Sequence, residues 1–284
     1  MDTSIMIIMK IFFLLAFFSL AAWAKESTYG KDSSFRAPTK EEKIFVRNHP
    51  KNLTPYFQKS INLLVWNMYL GQKKEWPSLF NELIKNKNLV LLQEFYLTDV
   101  VKKEFLGDLD RQYIFSTAYV YKKGNIPSGV VTASTVAHYK KSNIYSKHRE
   151  PITSVYKSSL FTFYKLKNGK KLLVVNVHTL NFVLDYILGE QILEIEKEIK
   201  KHTGPVILAG DFNTFSYGKI KYLNLIAKNL KLLEVDYSID RRMKFMKYPL
   251  DHVYYRELKL TKSEVIPSLQ GSDHNALSVV FDII

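Results

Sequence analysis

The segment Pro205-Val206-Ile207-Leu208-Ala209-Gly210-Asp211-Phe212-Asn213 passes from an aliphatic run, through one glycine, to a carboxylate and an amide. Its first half reads as a buried strand, because consecutive aliphatic residues, two of them β-branched, suit a strand covered on both faces. Gly210 permits a tight exit from such a strand. Asp211 and Asn213 occupy alternate positions, so persistent strand geometry points both side chains into one cleft at a strand end, where open sheets place their sites. The same two residues also suit an ordinary turn, since both types favour turns and caps.

Working outward, the pattern of an apolar strand closed by a polar or ionisable residue recurs. Ser60 to Trp66 reads as a strand with Asn67 at its end, and Leu89 to Gln93 as one ending in Glu94. A run from Lys171 to Val177 ends at His178, with Asn168-Gly169 before it as a hairpin turn. Leu250-Asp251-His252 opens a further strand, and Ser272-Asp273-His274 leads into the last, from Ala276 to Phe281. Gln112 to Tyr121, Gly129 to Tyr139, Leu160 to Leu166 and Leu258 to Ile266 carry β signals as well. Helices are expected after Pro77, from Val183 to Lys201, and around Ile220 to Leu230, where aliphatic residues recur at helical spacing. Any one of these polar strand ends is explained as a cap or a solvated residue. Their recurrence in order points to a site.

The chain has 284 residues, 46% of them hydrophobic, enough for a sizeable core. Ile11 to Ala24 is uncharged and rich in Phe and Leu, follows Lys10 and ends in the small-x-small pattern Ala22-Trp23-Ala24. It is shorter than the roughly 20 residues of a membrane-spanning helix, so it reads as a signal peptide over residues 1–24, cleaved after Ala24. Export to the periplasm or beyond is therefore expected. Residues 25–57 read as a polar lead-in and 58–284 as one domain. There is no cysteine, so the exported protein must be held by its core and not by disulfides. The formal charge of +14 favours polyanionic partners, meaning nucleic acid or anionic lipid head groups.

Trp66-Asn67, Gln93-Glu94, Asn176-Val177-His178-Thr179, Gly210-Asp211-Phe212-Asn213, Leu250-Asp251-His252 and Ser272-Asp273-His274 together resemble, in order and spacing, the endonuclease/exonuclease/phosphatase superfamily. That superfamily includes pancreatic-type deoxyribonucleases, abasic-site endonucleases, inositol polyphosphate phosphatases and bacterial sphingomyelinases. The resemblance implies an α+β fold, a four-layer αββα sandwich of two mostly antiparallel sheets with helices outside. It also implies hydrolysis of a phosphodiester with the help of a divalent ion, Mg²⁺ first, with Mn²⁺ or Ca²⁺ as alternatives. On the matching positions it implies Glu94 as the main metal ligand, Asn67 supporting the ion or phosphate, and Asp273 as a second-site ligand or part of the surrounding shell. Asp211 resembles the water-orienting acid and Asn213 its neighbouring amide donor. His178 corresponds to a donor to the phosphoryl oxygen or leaving group, and His274 to an essential histidine oriented by Asp251.

One departure concerns Ser128-Gly129-Val130-Val131-Thr132-Ala133-Ser134-Thr135, where Thr135 stands at the place of an arginine. His138, Arg149 and Lys157 are the substitutes available. For the substrate, the charge, the 18 tyrosines and the basic segment containing Arg241, Arg242, Lys244 and Lys247 favour a nucleic acid. A sphingomyelinase-like action on phospholipid, with membrane contact, and a silent polyanion-binding protein are the alternatives. A monomer is expected.

Overall fold

Two sheets lie face to face in the computed structural model, which describes residues 34–284 except 49 and 51. The expected signal segment and the start of the lead-in lie outside these residues. The elements in chain order are β1 (Phe35–Arg36), α1 (Lys40–Lys43), β2 (Ile44–Arg47), β3 (Ser60–Asn67), α2 (Trp76–Ile84), β4 (Leu89–Tyr96) and α3 (Asp99–Gly107). Next come β5 (Gln112–Tyr121), β6 (Ile126–Ser134), β7 (His138–Tyr145), β8 (Ser158–Lys165), β9 (Lys171–His178), α4 (Asp185–Ile199), β10 (Val206–Asp211) and α5 (Tyr217–Leu230). The chain closes with β11 (Leu233–Glu234), β12 (Lys244–Phe245), β13 (Tyr248–Pro249), β14 (Asp251–Arg256), β15 (Leu258–Ile266) and β16 (Ala276–Ile283).

The first sheet runs β1-β5-β6-β4-β3-β16-β15, with β2 also on β5, and the second runs β11-β14-β10-β9-β8-β7. Each holds a parallel pair, β3 with β4 and β9 with β10, joined through α2 and α4 respectively. An antiparallel strand flanks each pair, β16 beside β3 and β14 beside β10.

Strand alternation builds the layers. Ile61, Leu63 and Val65 of β3 face Leu172 and Val174 of β9 and Ile207 and Ala209 of β10 in the central core. The alternate residues turn outward: Leu64 and Trp66 pack with Trp76, Phe80 and Phe105, while Val206 and Leu208 pack with Leu188, Ile192 and Ile226. Helices thus cover the outer face of each sheet, the four-layer αββα sandwich that the resemblance implies. A buried polar contact spans the middle of the central core. Gln93 Nε2 donates to Asn176 Oδ1 (2.7 Å), and Asn176 Nδ2 donates to the carbonyls of Val131 (2.9 Å) and Leu92 (3.2 Å). Leaving such a group unpaired costs about 1–3 kcal/mol, so this contact favours one register of the two sheets over another.

Three expectations need correction. The described part of the lead-in belongs to the domain, because β1 and β2 both pair with β5. The segment from Gly129 to Tyr139 is not one strand: β6 ends at Ser134 in the first sheet, and β7 starts at His138 in the second. Gly210 does not end its strand, since β10 continues to Asp211. The glycine is needed for close approach, with φ of 141° and a Cβ that would stand 2.0 Å from the Val177 carbonyl oxygen.

Candidate active site between the sheets

The alternation that builds the central core also builds the site. Continuing the inward-facing positions of β3, β9 and β10 to their ends reaches Asn67, His178 and Asp211, and the inward positions of β14 begin at Asp251. All four are buried. Glu94 is out of phase with its strand, where Gln93 takes the inward position. A bulge between Gln93 and Phe95, with Glu94 at φ 54°, re-aims the carboxylate.

The contacts cross from sheet to sheet. Asn67 Nδ2 donates to Asp211 Oδ2 (3.0 Å). His178 Nε2 lies 3.7 Å from Glu94 Oε1 and 3.7 Å from Asp211 Oδ2. His274 Nδ1 lies 2.7 Å from Asp251 Oδ2. The loop carrying His274 is anchored by Trp66 Nε1 donating to its carbonyl (3.0 Å) and by Ser272 Oγ, which donates to the Asn67 carbonyl (2.6 Å) and accepts the His274 N–H (3.1 Å).

Electrostatics divide the two histidines. Burial pushes His178 well below its ordinary value, and the charges of Lys157 and His274 add to this, so its imidazole is neutral. Burial alone would also push His274 down, but the Asp251 carboxylate beside it, with Asp211 and Asp273 behind, holds it well above the ordinary value. It carries a proton. Asp211 is raised, chiefly by burial and then by Asp251 and Glu94, against the opposing charge of His274. Glu94 is raised by burial and by Asp273, against Lys157 and Asn67.

Glu94, His178 and Asp211 offer ligand atoms all within 4.8 Å of one another, as do Asp211, Asp251 and His274. The first set suits a hard divalent ion, since it offers two carboxylates, Asp211 buried and Glu94 partly exposed, and a neutral imidazole. In the second set Asp251 and His274 already satisfy each other. Asn67 reaches the first set through Asp211, while its Oδ1 accepts the Tyr69 N–H (3.1 Å). Asp273, expected as a second-site ligand or part of the surrounding shell, lies outside both sets and acts on Glu94 and His274 through its charge. Asn213 is not a free amide donor: its Nδ2 is bound to the Thr179 carbonyl (3.0 Å), and its backbone N–H holds Asp211 Oδ1 (2.9 Å).

Of the three substitutes for the missing arginine, Lys157 is the one that lies beside the cluster. This buried side chain sits directly before β8, 3.2 Å from Glu150, and lines a narrow cavity with Glu94, His178, Ser128 and Gly129. Burial opposes its charge, but Glu150 and Glu94 raise it, so it remains a cation. The other two substitutes are engaged elsewhere, His138 with Gln112 (2.6 Å) and Arg149 over the ring of Tyr156 (4.8 Å). The sequence offers Lys157 beside His138 and Arg149 and carries no pattern that ranks it above them.

The basic segment behaves differently from expectation. Arg242 is largely buried and committed to Asp240 (2.9 Å), Glu234 (3.1 Å) and the Asp251 carbonyl (3.2 Å), so it braces the strand carrying Asp251. Lys244 pairs with Asp240 (3.0 Å). Arg241 and Lys247 are exposed, Lys247 with its ammonium 5.5 Å from the centre of the Tyr248 ring.

Comparison with known proteins agrees with this geometry. Residues 64–274 match the Endonuclease/Exonuclease/phosphatase family. The UPF0294 protein VP2298 of Vibrio parahaemolyticus is 35% identical over 227 residues, 78% of each chain. A family protein from Leptotrichia buccalis superposes with a TM-score of 0.63 at 17% identity, covering 77% of this chain and 98% of that one. The human Nocturnin catalytic domain, solved with a bound sulfate anion, gives 0.60 at 17% identity over 84% of this chain and 96% of its own. With its sandwich, its cross-sheet cluster and this match, the chain belongs to the Endonuclease/Exonuclease/phosphatase family of phosphoesterases.

Proposed function

We propose that this protein is an exported, Mg²⁺-dependent phosphodiester hydrolase acting on nucleic acid. The observation that carries the reading is the convergence, from opposite sheets, of the Glu94 and Asp211 carboxylates and a charged histidine held by its own carboxylate. Glu94 and Asp211 would hold the ion, with His178 beside them. A divalent ion held there would supply positive charge against the phosphoryl oxygens. Asp211 accepts the proton of the attacking water, its carboxylate held by Asn67 and the Asn213 N–H. Asp251 accepts the hydrogen bond from the Nδ1–H of His274, so the charged imidazole presents its Nε2–H to the cleft, where it stabilises charge on a phosphoryl oxygen. Lys157 supplies the second fixed positive charge. The net charge of +14 gives a polyanion its long-range attraction, and sulfate binding by human Nocturnin is consistent with an anion-taking cleft in this fold.

The test is turnover of supercoiled plasmid and of sphingomyelin by the purified protein, with and without Mg²⁺. Plasmid nicking that a chelator abolishes is the expected result. Cleavage of sphingomyelin alone would move the substrate to the membrane, and inactivity on both would refute the phosphodiesterase reading.

A further inference from the structure

The connectors that leave the site carry aromatic rings outward. Phe182 follows His178, Phe215 follows Asn213, and Phe245 lies on the β12–β13 hairpin before Asp251. Phe182 and Phe215 have ring centres 6.3 Å apart, and Phe215 and Phe245 5.9 Å apart. Tyr186 and Tyr217 lie in the first turns of α4 and α5, beside Asp185 and Ser216 whose side chains join those turns (2.7 Å), and are 55% and 70% exposed, with Phe182 at 40%. Such a concentration of exposed rings on one rim is unusual for a surface with no partner.

The ridge is laced to the site. Asn213 Nδ2 joins the first two connectors at the Thr179 carbonyl (3.0 Å), Ser216 Oγ joins them again further out at Asp185 Oδ1 (2.7 Å), and Thr214 Oγ1 holds the hairpin through the Pro249 carbonyl (2.6 Å). Its central ring is fixed from beneath. Lys219 is completely buried, its ammonium has no hydrogen-bond partner, and it lies 3.3 Å from the centre of the Phe215 ring. A buried cation on one face of a ring holds that ring in place.

We propose that this ridge is a stacking platform for unpaired bases beside the scissile phosphate, so that the preferred substrate is single-stranded. The inference rests on the nucleic-acid reading above. Ring faces can take bases only when these are splayed from a stack, whereas a duplex offers its edges and its backbone. The net positive charge supplies backbone attraction without sequence preference, and the rings supply contact with any base.

The experiment compares KM for a single-stranded oligonucleotide with that for an abasic strand of equal length and for the duplex, using the wild type, Phe182→Ala, Tyr217→Ala and Tyr217→Trp. Thermal unfolding confirms that each variant is folded. The wild type should prefer the base-bearing strand, the alanine variants should lose at least about fivefold of that preference, Tyr217→Trp should retain it, and the abasic strand should be indifferent to all. Cleavage of both strands with no change in the variants overturns the inference and leaves the proposed function standing. Cleavage of no strand refutes the proposed function and the inference with it. Leu184 (65% exposed) and Met246 (73%) flank the rings, so binding to phosphatidylglycerol vesicles is measured in parallel. Variants that lose vesicle binding but keep their oligonucleotide KM would make the ridge a lipid surface and overturn the inference.

Discussion

The two sheets reach the cleft by the same device and with unlike chemistry. Each presents a parallel strand pair joined through a helix and flanked by an antiparallel strand. The first brings Asn67, Glu94 and the loop of His274, and the second brings His178, Asp211 and Asp251. Three site contacts join a residue of one sheet to a residue of the other: Asn67 to Asp211, Glu94 to His178, His274 to Asp251. The sheets differ in how they aim their acids. Asp211 is aimed by simple alternation along a regular strand, whereas Glu94 needs a bulge and a left-handed backbone. The difference teaches that neither half is a site by itself, and that the register favoured by Gln93 and Asn176 is a condition for chemistry as well as for packing.

Glu94→Gln strikes this arrangement hardest on the first sheet. It should raise the Mg²⁺ concentration for half-maximal activity by at least the roughly 10–100-fold seen when only a supporting partner is lost. A metal titration of folded protein reads this, and an unchanged midpoint would take Glu94 out of the ion set. Lys157→Met tests the cation that the second sheet contributes to balance Glu94 and Glu150. Loss of one partner from a buried pair should cost roughly 3–5 kcal/mol in urea unfolding, and a variant as stable as the wild type would make Lys157 a bystander.

The smallest effect concerns the segment behind Asp251. Burial would raise Asp240, but hydrogen bonds and charges from Arg242 and Lys244 hold it well below the ordinary carboxylate range. The folded state therefore binds fewer protons than the unfolded one, so the contribution of Asp240 is complete above about pH 4 and is lost as the pH falls further. Asp240→Asn should flatten that acid limb of a stability profile. An unaltered limb would show that the pairs with Arg242 and Lys244 contribute nothing.

Much of this was legible in the sequence because it depends on local pattern. Apolar strands with polar ends announced Asn67, Glu94, His178, Asp211, Asp251 and His274, and their order carried the family resemblance. What was not legible depends on contacts between distant segments. The use of Asn213 to hold Asp211, the choice between ligand and surrounding shell for Asp273 and the choice of Lys157 over His138 and Arg149 follow from which loops meet. Arg241, Arg242, Lys244 and Lys247 read as one basic segment, yet Arg242 and Lys244 are neutralised by Asp240 and Glu234, partners that composition cannot assign. The sheet change between β6 and β7 has the same origin, since β propensity is continuous across a connection that only packing breaks.

The measurement that tests the cross-sheet unit most directly is a double-mutant cycle on turnover, with His274→Ala, Asp251→Asn and both together. His274→Ala should lower the rate by roughly 10²–10⁴-fold in a folded protein. Adding Asp251→Asn to it should change little further, because Asp251 acts through the imidazole. Losses that multiply fully in the double variant would show that the two residues act independently, and would contradict a site assembled from pairs that span the sheets.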